Sequence, residues 1–269
     1  MNGKFPFGLF LFCLVALCSN GRWYKTRAFR LALSFLTILP SGKFKEADKR
    51  EFAASLKYFP LVGFILGLIV AGLYLLASLR LTQQAASAIA VVSLIVLTRA
   101  LHVDGLADTL DGLLGGKDSE HIISIMKDSR VGSFGAVAVT SVTILKVVLL
   151  SSVAIKLKMG SIIMFPVIGR WAATYALTTQ PYVKGKAGLG SLFMGGSGSW
   201  SFIISSLITI AITSVLLRKY AVVVMVATLA FTILYVKFIK ARIGGITGDT
   251  VGALIELTEM VALLAVAII

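Results

Sequence analysis

Apolar residues run along this chain in long blocks, and polar residues gather in the connections between them. The blocks fall at 59–79, 85–98, 134–155, 160–179, 199–217, 219–236 and 251–269. A helix needs roughly 20 apolar residues to cross a bilayer, and most of these blocks approach that length. Each predicts a membrane-spanning helix, because a chain in lipid must satisfy its backbone hydrogen bonds internally. Only Arg218 and Lys219 separate the fifth block from the sixth. A shorter segment, FRLALSFLTILP at 29–40, is too brief to span. With Arg22, Lys25, Arg27 and Arg30 beside its apolar residues, it reads as an interfacial helix. The predicted fold is all-α: a polytopic integral membrane helical bundle of about seven transmembrane helices plus a short N-terminal interfacial helix.

Composition agrees with that reading. The chain is 58% hydrophobic and 14% charged, where a soluble domain carries about a quarter charged residues. Its net charge is +14. In a membrane protein Lys and Arg collect in cytoplasmic loops and hold the topology, so the expected partner is the bilayer and not nucleic acid. Seven alternating spans put loops 41–58, 99–130, 180–198 and 237–250 on one side, the cytoplasmic one. Cys13 and Cys18 have no CxxC spacing and support neither a disulfide framework nor a thiolate metal site. Residues 1–28 form an extension with three open readings: signal-like, an extra anchor, or an upstream start. Residues 29–269 form a single membrane-embedded domain.

The acids change the picture. There are 12 Asp and Glu residues in 269, and they fall in three clusters: 46–51, 104–128 and 249–259. Asp104, Asp108 and Asp111 are spaced i, i+4 and i+7, so on a helix they share one face. Like charges at that spacing repel unless a cation sits among them, and a hard oxygen-ligated cation such as Mg²⁺ is the natural occupant. The bland alternative is a solvated acidic stripe. His102 lies next to them. In IMKDSRVGSFG, Lys127 and Arg130 could clamp phosphate, and Asp128 is either a fourth metal ligand or their ion-pair partner. In GGITGDTVGALIELTE, Thr247 and Thr250 can cap a helix or bind phosphate, and Asp249 stands seven residues before Glu256 on one face. Arg170 is an intramembrane cation that needs an acidic partner, Glu256 or Glu259; a buried helix-tying pair and a catalytic role both stay open.

LSFLTILP, SLKYFPLVGFILG, LHVDGLADTLDGL, IMKDSRVGSFG, GRWA and GGITGDTVGALIELTE resemble, in order, motifs of the cobalamin synthase family, the adenosylcobinamide-GDP ribazoletransferases. The resemblance covers about residues 29–269. It implies an inner-membrane enzyme, with its active site facing the cytoplasm, that joins α-ribazole or its 5′-phosphate to adenosylcobinamide-GDP and releases GMP. It implies Mg²⁺ as cofactor, and association with other cobalamin-assembly enzymes. Mapped onto this chain, it makes Asp104, Asp108, Asp111, Asp128 and Asp249 the metal-binding acids. Lys127 and Arg130 join the catalytic set; His102, Arg170, Thr247, Thr250 and Glu256 face substrate. Two other readings compete. DTLDG at 108–112 matches the first half of the CDP-alcohol phosphotransferase signature, but Gly115 and Gly116 stand where that family has Ala-Arg. A cation-coupled transporter would also hold acids in the membrane, but near the midplane.

Overall fold

The computed structural model describes residues 27–40, 48–183, 189–193 and 198–269. Most of the proposed extension, and Lys43, Lys45, Glu46, Lys184 and Lys186, lie outside the described residues. The described chain is helical: α1 (Arg27–Leu36), α2 (Lys49–Ser55), α3 (Phe59–Ser78), α4 (Gln83–Leu97), α5 (Leu101–Gly115), α6 (Ser119–Ile125), α7 (Ser133–Ser152), α8 (Ile155–Thr179), α9 (Gly198–Leu217), α10 (Ala221–Ile243) and α11 (Gly248–Ala267). No strand longer than an isolated bridge occurs among the described residues.

By length and composition, four helical stretches can cross a membrane: 49–78, 133–152, 199–243 and 248–267. A fifth is added if α4 and α5 are one broken span. The seven expected crossings are therefore not reached by this measure. α4 has only 15 residues, and α8 carries Lys156, Lys158 and Arg170. The stretch 199–243 counts once but is 45 residues long, about twice what one crossing needs. It is interrupted at Arg218, whose φ of 52° is left-handed. α9 runs antiparallel to α8: the Trp171 indole N–H donates to Ser206 at 2.9 Å, and Gly160 lies against the Leu216 carbonyl. α10 then returns, so that Ile246 reaches Pro181 beyond the end of α8.

The exterior confirms the solvent. Val137, Ile144 and Val148 of α7 and Val222, Val226 and Leu234 of α10 are exposed. A soluble protein rarely exposes contiguous apolar surface on this scale; around a bundle in lipid it is the expected outer face. α8 is the centre, buried along nearly its whole length.

α1 falls where a short N-terminal helix was expected, and it buries Phe29, Leu31, Ala32, Leu33 and Leu36. α2 was not expected. It is started by a reciprocal cap, in which the Asp48 side chain accepts the Glu51 N–H and Glu51 accepts the Asp48 N–H. A short 3₁₀ segment, Leu189–Phe193, docks here: Phe193 meets Phe35, Phe52 and Phe59 at centroid distances of 4.8, 5.2 and 5.6 Å.

One departure positions the site. Residues 99–130 were expected as a connection, yet they fold as α5 and α6. α5 turns 89° away from α4. The turn is made by Arg99 and Ala100, with φ of 55° and 54°. Non-glycine residues held there cost about 1–3 kcal/mol each, so the surroundings must over-determine them. They do: the Arg99 guanidinium donates to the Ser34 and Thr37 carbonyls at 2.9 and 3.2 Å, which locks the break to the end of α1.

Candidate active site

α5 brings its aspartates to the same end of the bundle as the start of α11. Gly105 makes this approach possible, since a Cβ there would meet the Asp249 carbonyl at 2.7 Å and its Cα at 3.1 Å. Backbone therefore lies on backbone, and Asp249 is delivered to the face that carries Asp104 and Asp108. Thr247 and Thr250 start α11 by a reciprocal cap: Thr250 N–H donates to the Thr247 hydroxyl at 3.2 Å, and Thr247 N–H to the Thr250 hydroxyl at 2.8 Å. Of the two roles open for these threonines, capping is the one seen. Asp249 in the first turn is favoured by the positive end of the helix dipole.

The charges of Asp104, Asp249 and Asp111 all act on Asp108. Partial burial first, and then those three carboxylates, push the Asp108 carboxyl up to about 6. Burial and neighbouring like charges each disfavour the ionised form of a carboxyl. The cluster fits a hard cation by the chemistry of the donors. It does not yet fit by distance: among the described residues no three Asp, Glu, His or Cys groups stand together as a ligand set.

Asp111 differs from its neighbours. It is 7% exposed, and its two oxygens accept the Gly132 N–H at 2.7 Å and the Gly135 N–H at 2.8 Å. Gly132 is the N-cap of α7, so the carboxylate seals that helix's orphan donors. A Cβ at either glycine would fall on the Asp111 carboxylate. The helical spacing correctly put Asp111 on α5, but both its oxygens are already engaged in holding α5 to α7.

Asp128 is drawn out of the cluster as well. Arg130 grips it from both sides, Nε to Oδ1 at 3.0 Å and Nη2 to Oδ2 at 2.6 Å. Those bonds hold the Asp128 carboxyl down to about 2. Of its two open roles, the ion pair is the one observed. Lys127 and Arg130 are exposed at the rim. Of the first acidic cluster, the two described acids are engaged elsewhere: Asp48 caps α2, and Glu51 pairs with Arg27 at 3.1 Å.

Beneath the acidic face lies a second, buried set. Lys146 of α7 bonds both Glu256 and Glu259 at 2.6 Å, and Arg170 pairs with Glu259. Arg170 and Glu259 are fully buried. Arg170 thus has the partner its isolation demanded, and this pairing ties α7, α8 and α11 together. Lys146 was not singled out from the sequence, where it is one lysine inside an apolar block. The signal was its register: it shares a stripe with the buried Gly135, Val142 and Leu150. His102 is buried near Arg170 and Lys146, with its Nε2 unbonded among the described residues.

A helical membrane protein that gathers carboxylates at one end and pairs its buried charges inside is built as a membrane-embedded enzyme. The comparisons sharpen this to a family. The description Cobalamin-5-phosphate synthase matches residues 28–267, and the chain belongs to that family, whose members are transferases. It is similar to the adenosylcobinamide-GDP ribazoletransferase of Desulforamulus reducens, 42% identical over 86% of this chain and 92% of the relative. It is likewise similar to the adenosylcobinamide-GDP ribazoletransferase of Thermoanaerobacter pseudethanolicus, 37% identical over 87% of this chain and 94% of the relative. No solved structure matches the chain.

Proposed function

We propose that this protein joins α-ribazole, or its 5′-phosphate, to adenosylcobinamide-GDP, giving adenosylcobalamin or its 5′-phosphate and GMP. The observation that carries the reading is the convergence of Asp104, Asp111 and Asp249 on Asp108 at one end of the bundle, in a chain of this family. A diphosphate ester brings its own negative charge, so an acidic face can receive it only with a cation between. By donor chemistry Asp104, Asp108 and Asp249 would be the ligands of Mg²⁺ there, drawn in around the ion from positions that do not by themselves form a ligand set. Bound Mg²⁺ would neutralise charge on the diphosphate and on the departing GMP.

The chain's own residues do the rest. The ribazole hydroxyl oxygen forms a bond to the cobinamide-bound phosphorus as the bond to GMP breaks, and the hydroxyl proton passes to a carboxylate of the cluster. Lys127 and Arg130 stand at the rim to draw in the phosphates. Asp111 and Gly105 fix α5 against α7 and α11, so the acids are placed before substrate arrives. The acid-bearing end faces the cytoplasm, where both substrates are soluble.

Detergent-purified protein supplied with adenosylcobinamide-GDP, α-ribazole and Mg²⁺ should yield cobalamin and GMP in equal amounts. No product would refute the reading. A transporter would need a sealed vesicle to show any activity, and this enzyme would not.

A further inference from the structure

The end of the bundle opposite the acids carries cations. Arg80 follows α3, Lys156 and Lys158 stand in the first turn of α8, and Arg218 and Lys219 join α9 to α10. No Asp or Glu occurs at 52–103, 129–248 or 260–269, so this end has no acidic side chain to balance them. Four of the five are exposed, but Lys158 is buried, at 1% exposure. Its ammonium donates to the Leu150 carbonyl and, at 2.9 Å, to the Ser151 carbonyl, in the last turn of α7. Those carbonyls are orphan acceptors at the negative end of that helix, which supplies only about half a charge. Lys146 and Arg170 meet glutamates, whereas Lys158 meets no carboxylate among the described residues. An ammonium has three donors, so one N–H is left to give.

Lys158 lines a cavity of about 390 Å³ together with Tyr74, Ser78 and Gln83, where α3 ends and α4 and α8 begin. Tyr74 is 4% exposed, and its hydroxyl has no hydrogen-bond partner among the described residues. The rest of the lining is apolar, and Leu75, Leu81 and Ile155 continue from it onto the exposed outer face. The depth is fixed by α7. Its 20 residues run from the Asp111 contact to the turn that Lys158 caps, about 30 Å of helix and the thickness of a hydrocarbon core. The cavity therefore lies at the level of the headgroups of the leaflet away from the acids, with polar groups inside and an apolar mouth.

We propose that this cavity holds the phosphate of an anionic phospholipid, with Lys158 as its counter-ion, the Tyr74 hydroxyl as a second donor, and the acyl chains lying along Leu75, Leu81 and Ile155. A free anion would leave the apolar mouth unused, and a zwitterionic lipid brings a cation of its own. The site is independent of the reaction at the acid-bearing end. Lipid-stripped protein in detergent is titrated with phosphatidylglycerol, and bound lipid is counted by native mass spectrometry. Tyr74→Phe keeps the ring and removes the hydroxyl, Lys158→Met removes the buried charge, and Lys156→Met removes an exposed charge beside it that does not line the cavity. The wild type and Lys156→Met should each hold one lipid with the same affinity. Affinity should fall about tenfold to a hundredfold in Tyr74→Phe, the worth of a hydrogen bond to a charged oxygen, and at least as far in Lys158→Met. The lipid-free thermal midpoint of Tyr74→Phe should match the wild type; Lys158→Met also uncaps α7, so Tyr74→Phe decides. Equal lipid affinities in the wild type and Tyr74→Phe overturn the proposal. Equal losses in Lys156→Met and Lys158→Met also overturn it, since they mark attraction to diffuse surface charge. Phosphatidylcholine held as tightly as phosphatidylglycerol, or inorganic phosphate raising the wild-type midpoint as much as the lipid does, overturns the choice of occupant and with it the proposal.

Discussion

Asp108 and Asp111 sit three residues apart on one helix, yet the structure gives them opposite effects on stability. Asn at 111 keeps one acceptor oxygen and turns an NH₂ toward the second backbone N–H. One hydrogen bond to a charged acceptor is lost, worth about 1.5–3 kcal/mol. The favourable charge at the start of α7 goes with it, worth about 0.3–1 kcal/mol. Asp111→Asn should therefore destabilise by about 2–4 kcal/mol. Asp108 reverses the sign. Its folded carboxyl is raised from 3.8 to about 6, so the stability it contributes is complete below 3.8 and is lost as pH rises through 6. At pH 7, without divalent cations, its charge works against the fold. Asp108→Asn should stabilise by up to about 1 kcal/mol once the exposure of the carboxyl is discounted. The assay is thermal or denaturant unfolding in mild detergent with EDTA, followed by tryptophan fluorescence. Gly135→Ala should behave like Asp111→Asn, because its Cβ would land on the same carboxylate. If Asp111→Asn unfolds with the wild type while Asp108→Asn unfolds earlier, the division of roles is wrong.

Two further outcomes follow from the same geometry. Lys146→Met leaves Glu256 and Glu259 buried with only Arg170 between them, so it should cost about 3–5 kcal/mol and show as loss of the folded peak in size exclusion; Glu256→Gln in the same chain should recover part of that loss, and no recovery would argue against the pairing seen. Protons and cations compete at Asp108, whose ionised fraction falls about tenfold between pH 7 and pH 5 for a group titrating at about 6. Mn²⁺ affinity measured by paramagnetic resonance should fall by about the same factor, and an affinity that is flat across that range would remove Asp108 from the ligand set.

The sequence could show the helices because a chain in lipid must bond its backbone internally, and each long apolar block carries a helix, although only four or five stretches meet the length and composition of a span. It could show the shared face of Asp104 and Asp108 because helical spacing is local. It could not show the turn at Arg99 and Ala100: two left-handed residues in a row are unfavourable by propensity, and the bonds that hold them come from carbonyls of α1 more than 60 residues away. α2 was missed although its cap, Asp48 to Glu51, stands in the sequence, because the apolar block that follows drew the boundary too late. The separate duty of Asp111 was hidden for a similar reason. Its partners are backbone N–H groups, and backbone donors leave no mark on residue type beyond the glycines that make room for them.

The carboxylates of this chain are best sorted by whether their charge is cancelled. Lys146 and Arg170 carry two positive charges, Glu256 and Glu259 two negative ones, and the set sums to zero where water is excluded. An uncancelled charge at that depth would cost several kcal/mol or change its protonation, so neutrality is a condition of the fold and these glutamates are spent on it. Asp104, Asp108 and Asp249 lie outside that neutral set. They lie where α5 meets the start of α11, and the charges of Asp104 and Asp249 act together on Asp108. A carrier that moved cations across the membrane would need the reverse arrangement, with free acids at mid-depth and paired ones at the surface. An enzyme that receives an anionic diphosphate from water needs its buried charge cancelled for stability, and its other acids gathered toward one end of the bundle, where a cation and its substrate can reach them.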